Sequence, residues 1–396
     1  MTQNSSLPSP SDEALNGFDA LGLHPLLCRA TQKLGFIKPT PIQQKGIPPL
    51  LQGKDVLLPS QTGSGKTATF LLAALQRLAD RQQEEGEFYH HTPTCLILEP
   101  TRDLAHQTAG ICRQLARDLS FRTRVLCGGT SREQQLNSMK EGVDIIIATH
   151  GRLLDFVQKG ELDLSQIDYL VLDEADRLLD EEFTQSMTAL IPYLGEHPQT
   201  IFCSATLPDT VRHFAKKVTR NPVAIDLEEE TKTPIRLQQR ALFLHEDEKE
   251  ALTRKIISHH TPGGQIIIFV NTKKSADELA RKIRSWGFKA ASFHSDLKQN
   301  DRTKVLEQLQ TGTVSCLVTT DIAARGLDLD ELSLVINVDL PKSPELYIHR
   351  IGRSARAGRK GKAISLVTGT ERQLLREIEQ TIHHRIRIIT PETLDK

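Results

Sequence analysis

Short apolar runs alternate with helix-patterned stretches along most of this chain. That alternation restricts it to parallel sheets flanked by helices. The first series reads CLILEP (95–100), TRVLC (123–127), DIIIATH (144–150), YLVLDEAD (169–176) and TIFCSAT (200–206). Around DLEEETKTPIRLQ (226–238) the pattern lapses into charges, threonines and a proline. It restarts as QIIIFVN (265–271), KAASFHSD (289–296), VSCLVTTD (314–321), LSLVINVD (332–339) and GKAISLVT (361–368). Two α/β domains are therefore expected, at 18–225 and 239–396, joined by a linker at 226–238. The polar, Ser- and Pro-containing residues 1–17 are expected to form a disordered tail. The 396 residues suffice for two cores of ordinary size.

The two halves also echo each other. VDIIIATHGRLLD (143–155) and VSCLVTTDIAARGLD (314–328) each read as a strand, a terminal threonine and a loop holding an arginine. LCGGTSREQQ and FHSDLKQNDR correspond just upstream of them. Two sheets of one class can echo by chance; two related lobes would give the same signal.

Composition excludes several classes. Lysine plus arginine and aspartate plus glutamate each number 50, so the formal charge is zero and any nucleic-acid footprint must be local. The six cysteines are scattered without a Cys-x-x-Cys pair, which argues against zinc and for free thiols in a reducing cytoplasm. The N-terminus lacks the basic and apolar segments of a signal peptide, and no apolar run approaches membrane-spanning length. A soluble, cytoplasmic protein is expected.

Between the apolar DVLLP (55–59) and the helix-patterned KTATFLLAALQRL lies SQTGSGKT (60–67). It departs from the phosphate-loop pattern Gly-x-x-x-x-Gly-Lys-Ser/Thr at its first letter alone. Gly63 and Gly65 let backbone N–H groups turn inward at a helix N-terminus, where an anion is already favoured. Lys66 would reach the β/γ-phosphates and the Thr67 hydroxyl would serve Mg²⁺, with Ser60, Gln61, Thr62 and Ser64 completing the loop. YLVLDEAD places Asp173 at a strand end, where open α/β sheets hold ligands. Asp173 can hold Mg²⁺, and Glu174 can orient and deprotonate an attacking water.

With these motifs in order, the chain resembles the DEAD-box ATP-dependent RNA helicases, as a bacterial-type minimal core. The likeness runs from Phe18 to GKAISLVT. It implies two tandem RecA-like domains, each a parallel sheet flanked by helices. ATP and Mg²⁺ are the implied cofactors, RNA the implied partner, and a monomer the implied state. In that family the first loop position commonly carries alanine, so Ser60 is a small-for-small change. GFIKPTPIQ resembles the adenine-reading segment, with Gln43 on adenine's polar edge and Phe36 as a stacking face. Phe18 stands where the family has an isolated upstream aromatic. SAT (Ser204 to Thr206) resembles the segment that couples hydrolysis to duplex opening.

HRIGRSARAGRKGK (349–362) is basic throughout, which alone reads as a solvated face or an RNA patch. The resemblance assigns Arg353 and Arg356 to the γ-phosphate as arginine fingers and Asp328 to the ribose. RNA contacts implied in the same way are Arg102, Gly128, Gly129, Thr149, Arg152, Gln299, Arg302 and Thr320. Amides, hydroxyls and arginines of this kind suit phosphate and sugar and carry little base information.

The chain departs from the family's usual letters at Asp103, His150, Ser295 and Ala355. His150 and Ala355 bear on loop geometry, hence on unwinding more than on hydrolysis. An ATP-gated RNA clamp would carry the same motifs. A DNA motor on this fold is disfavoured by GFIKPTPIQ and by the alanine of DEAD.

Overall fold

The computed structural model describes residues 17–59, 64–85, 92–179, 184–204, 209–226, 237–260, 264–324, 332–352, 361–382 and 384–393. The chain divides into two compact units, Met1–Glu230 and Thr231–Lys396. The first contains β1 (Val56–Pro59), β2 (Cys95–Leu98), β3 (Thr123–Leu126), β4 (Ile145–Ala148), β5 (Tyr169–Leu172), β6 (Gln199–Ser204) and β7 (Val223–Ala224). The second contains β8 (Leu237–Phe243), β9 (Gln265–Phe269), β10 (Ala290–Phe293), β11 (Cys316–Thr319), β12 (Leu332–Asn337), β13 (Gly361–Val367) and β14 (Arg387–Ile389). β8 begins at Leu237, inside the span read as linker; residues 227–236 of that span, like residues 1–16 of the tail, lie outside those described.

Among the described residues each unit holds one seven-stranded sheet with all ladders parallel. The orders are β3-β4-β2-β5-β6-β1-β7 and β10-β11-β9-β12-β13-β8-β14. Adding seven to each strand number of the first order produces the second. The repeated sequence thus occupies equivalent places: β4 with the helix His150–Gln158 corresponds to β11 with Asp321–Ala324.

Each sheet is covered on both faces, which explains its near-continuous apolar strands. Along β2, Cys95 and Ile97 join one cluster with Phe70, Leu71 and Leu75 of the helix Lys66–Glu85. Leu96 and Leu98 join the other, with Leu153 and Phe156. The second sheet alternates likewise, Ile267 and Phe269 against Ile266 and Ile268. All six cysteines are buried and free of disulfides. No helix among the described residues is long and apolar enough to cross a membrane.

Candidate ATP and RNA sites

In the first unit the chemistry collects at the C-terminal ends of β1, β5 and β6. Lys66 opens the helix Lys66–Glu85, which places its ammonium beside the strand ends. Its Nζ lies 2.9 Å from Asp173 Oδ1, both side chains being buried. Burial opposes the lysine's charge, but Asp173 and Glu174 outweigh it and hold the ammonium above its ordinary pKa. Asp173 Oδ1 also accepts from the Glu174 N–H at 2.8 Å. Ser204 ends β6, in register with Pro59 of β1.

Glu174 adopts a left-handed conformation, φ 48°. For a residue with a Cβ this costs about 1–2 kcal/mol. Its carbonyl accepts from the N–H groups of Arg177 and Leu178, and its carboxylate pairs with the Arg177 guanidinium. The carboxylate that the sequence suggests for water activation is therefore fixed in backbone and side chain.

The adenine-type segment is joined to the phosphate loop. Gln43 Oε1 accepts from the Thr40 N–H at 2.8 Å, and its Nε2 donates to the Gly65 carbonyl at 3.2 Å. Thr40 Oγ1 donates to the Ser64 carbonyl at 2.7 Å. Gly65 has φ +91°, and a Cβ there would stand 2.7 Å from Gln43 Nε2, so both conformation and space call for glycine. Phe36 is half-buried. Phe18, in contrast, is fully buried within the core cluster that includes Leu23, Leu27 and Ile42; it presents no open stacking face.

The donor set suits Mg²⁺. Thr67 is partly exposed on the first turn of its helix, and Asp173 brings a carboxylate to the same strand ends. A hard cation that keeps several waters and takes one or two carboxylates plus phosphate oxygens fits such oxygens.

The residues linked to RNA gather in two groups. In the first unit Arg102, opening the helix Arg102–Leu115 after β2, donates from Nη1 to the Gly128 carbonyl at 3.5 Å. Gly129 has φ +81°. Thr149 stands at the N-cap position of the helix His150–Gln158, and His150, buried, is its first residue. Arg152 donates to the Thr130 carbonyl at 3.4 Å and to Gln135 Oε1 at 3.2 Å. In the second unit Gln299 opens the helix Gln299–Gln310 after β10. Arg302 is buried, donates to the His294 carbonyl at 2.8 Å and lies over the Phe293 ring at 4.2 Å. Thr320 is buried after β11. Ser60, Gln61, Thr62, Gly63, Thr206, Asp328, Arg353, Ala355 and Arg356 lie outside the described residues.

Two further residues belong to these sites. Glu99, following β2, is fully buried; Thr108 Oγ1 donates to its Oε1 at 2.6 Å, and Oε2 has no partner among the described residues. Burial first, then the Asp173 charge, raises its pKa well above the carboxylate range. A third carboxyl thus stands near Asp173, and its burial disfavours the charged form. Arg350, in the basic run, is not solvated but buried. It donates bidentately to Asp321 at 2.5 and 2.7 Å, and also to Asn337 Oδ1, Asn271 Oδ1 and the Asp339 carbonyl. This fastens the end of the helix Pro344–Ile351 beside Thr320, on the segment that leads to Arg353. Neither residue has a local sequence signature, since its partners come from elsewhere in the chain.

Comparison with known proteins agrees with this geometry. The family model for the DEAD/DEAH box helicase matches residues 40–214, and that for the helicase conserved C-terminal domain matches 248–358. Eukaryotic initiation factor 4A of Cryptosporidium parvum is 36% identical over 96% of this chain and 92% of its own. ATP-dependent RNA helicase DeaD of Buchnera aphidicola is 37% identical over 92% of this chain and 59% of its own. A structure of S. cerevisiae Dbp5 bound to RNA and ADP BeF3 has a TM-score of 0.84 at 29% identity, covering 96% of this chain and 97% of that one. A phosphate-loop lysine on the aspartate of a DEAD sequence, in the first of two matching parallel sheets, is thus accompanied by relatives that match nearly the whole of this chain. The chain belongs to the DEAD-box ATP-dependent RNA helicases.

Proposed function

We propose that this enzyme binds single-stranded RNA without regard to sequence and opens short duplexes locally, coupled to ATP hydrolysis at the first unit's strand ends. The observation that carries the reading is the buried Lys66–Asp173 contact with Glu174 fixed beside it. When ATP enters, Lys66 exchanges its contact with Asp173 for the β/γ-phosphate oxygens. Thr67 and Asp173 would hold Mg²⁺, which supplies charge neutralisation to the phosphates when bound. Glu174 orients a water and takes its proton as the water oxygen bonds to the γ-phosphorus. The bond to the β–γ bridging oxygen breaks, and ADP and phosphate result.

Arg353 and Arg356 are proposed to stabilise the transferring phosphoryl and Asp328 to bind the ribose, by the family pattern. RNA raises turnover if it binds more tightly to the hydrolysis-competent state, the differential affinity that any population shift needs. The two groups around Thr149 and Thr320 offer hydroxyls, amides and guanidinium groups suited to backbone rather than bases. The structure of Dbp5 with RNA, a relative of the same extent, supports an RNA path on this fold.

Strand displacement tests this. A 10-base-pair RNA duplex is expected to separate with ATP and Mg²⁺, and a 30-base-pair duplex to persist. Equal displacement of both would mean processive translocation. ATP turnover without displacement of the short duplex would leave an RNA clamp.

A further inference from the structure

At the end of the second sheet, among the described residues, β14 pairs with β8 alone. There the helix Arg372–Thr381 and β14 line a groove of about 830 Å³. Leu375 and Ile386 form its buried floor. Phe243, at the end of β8, is 38% exposed and Ile388 is 48% exposed, two of the few large apolar side chains exposed among the described residues.

The rim is basic. Arg372, Arg376 and Arg385 line the groove, and among the described residues none pairs with a carboxylate. Arg372 lies over the Phe243 ring at 4.8 Å. The one carboxylate in the lining, Glu379, is engaged by the Ile386 N–H at 2.8 Å. In a chain with equal numbers of acids and bases, this is a local excess of positive charge around an apolar floor.

We infer that this groove is a docking site for an acidic peptide segment of another protein, anchored by aliphatic or aromatic side chains. Charge complementarity selects the acidic flanks, and the apolar floor selects the anchors. An RNA strand fits less well. Sequence-blind strands are held by open aromatic platforms, whereas the Phe243 ring in this lining has Arg372 over one face. The outer edge of β14, which pairs with no other strand among the described residues, adds backbone groups along which an extended segment can lie.

The test uses the full chain as bait for phage-displayed random 16-residue peptides. Enriched sequences are expected to combine Asp/Glu with apolar anchors. Their affinity is expected to fall about 100-fold in Arg376→Glu/Arg385→Glu, which sets like charges against each other. Both positions are exposed and pair with no carboxylate among the described residues, so the variant should fold, and its RNA-stimulated ATPase should match wild type. A second variant, Phe243→Ser, should weaken the same peptides without altering ATPase. No enrichment, or enriched peptides indifferent to these substitutions, would overturn the inference. So would a loss of single-stranded RNA affinity in the double variant, which would make the groove an RNA surface. A monomer–dimer shift on reversing the arginines would make it a self-association face instead.

Discussion

Removing the Lys66 ammonium should cost stability as well as activity, and the two losses can be separated. In Lys66→Ala the Asp173 carboxylate remains, with its side chain 2% exposed, facing an empty space where a cation stood. Breaking a buried pair by deleting one partner costs about 3–5 kcal/mol, because the other charge is left uncompensated. For a domain of this size each kcal/mol moves Tm by about 2–4 °C, so a fall of roughly 6–20 °C is expected. Far-UV circular dichroism reads both units. Trp286, the single tryptophan, lies in the second unit and reads that one alone. The fall should appear in circular dichroism before it appears in fluorescence. Lys66→Met/Asp173→Asn removes both charges and should recover most of the lost stability while ATP hydrolysis stays absent. If Lys66→Ala leaves the thermal transition unmoved, the pair is not the buried contact described above, and its role must be sought with nucleotide alone.

Glu99→Gln keeps the acceptor for Thr108 and removes a titrating group. The folded state holds the Glu99 proton above the ordinary value of 4.5, so the stability from the neutral carboxyl is full below that pH and declines as pH rises. The variant should therefore gain on wild type progressively above about pH 4.5, as read by urea unfolding at stepped pH; a constant difference would refute the shift. Arg350→Lys leaves buried acceptors at Asn337 and Asn271 unserved and should destabilise the second unit by about 1–3 kcal/mol, seen in Trp286 fluorescence. Gln43→Ala, which cuts the tie to Gly65 and the proposed adenine contact, should raise the ATP requirement and narrow the preference for ATP over GTP. An unchanged preference would remove Gln43 from base reading. Glu174→Gln should bind ATP and RNA but not turn over, giving a slow RNA off-rate.

The strands that showed in the sequence are those buried on both faces, where apolar residues run without interruption. β7, β8 and β14 did not show. β8 begins Leu237-Gln238-Gln239-Arg240, and its early residues are partly exposed, so it read as linker. β7 and β14 are edge strands of two and three residues, too short to display a period. The phosphate loop and the DEAD segment were legible because each is contiguous and sits at a strand end. Gln43's bond to Gly65 spans 22 residues and Arg350's bond to Asp321 spans 29, and no local pattern signals such pairings. Phe18 shows the converse limit: its place in a motif pointed to nucleotide, while its burial puts it in the core. Glu99 reads as one more acid until folding removes its water.

ATP turnover in the presence of Mg²⁺, measured without nucleic acid, with a single-stranded RNA and with DNA of the same sequence, bears most directly on what this enzyme does. Turnover is expected to be slow alone and to rise by orders of magnitude with RNA. DNA, lacking the 2′-hydroxyl that separates the two polymers, should stimulate little. Arg356→Lys should bind ATP normally and lose the RNA response, since an ammonium lacks the planar fork that matches phosphate oxygens. Equal stimulation by RNA and DNA, or turnover indifferent to both, would contradict an RNA-gated ATPase built on Lys66, Asp173 and Glu174.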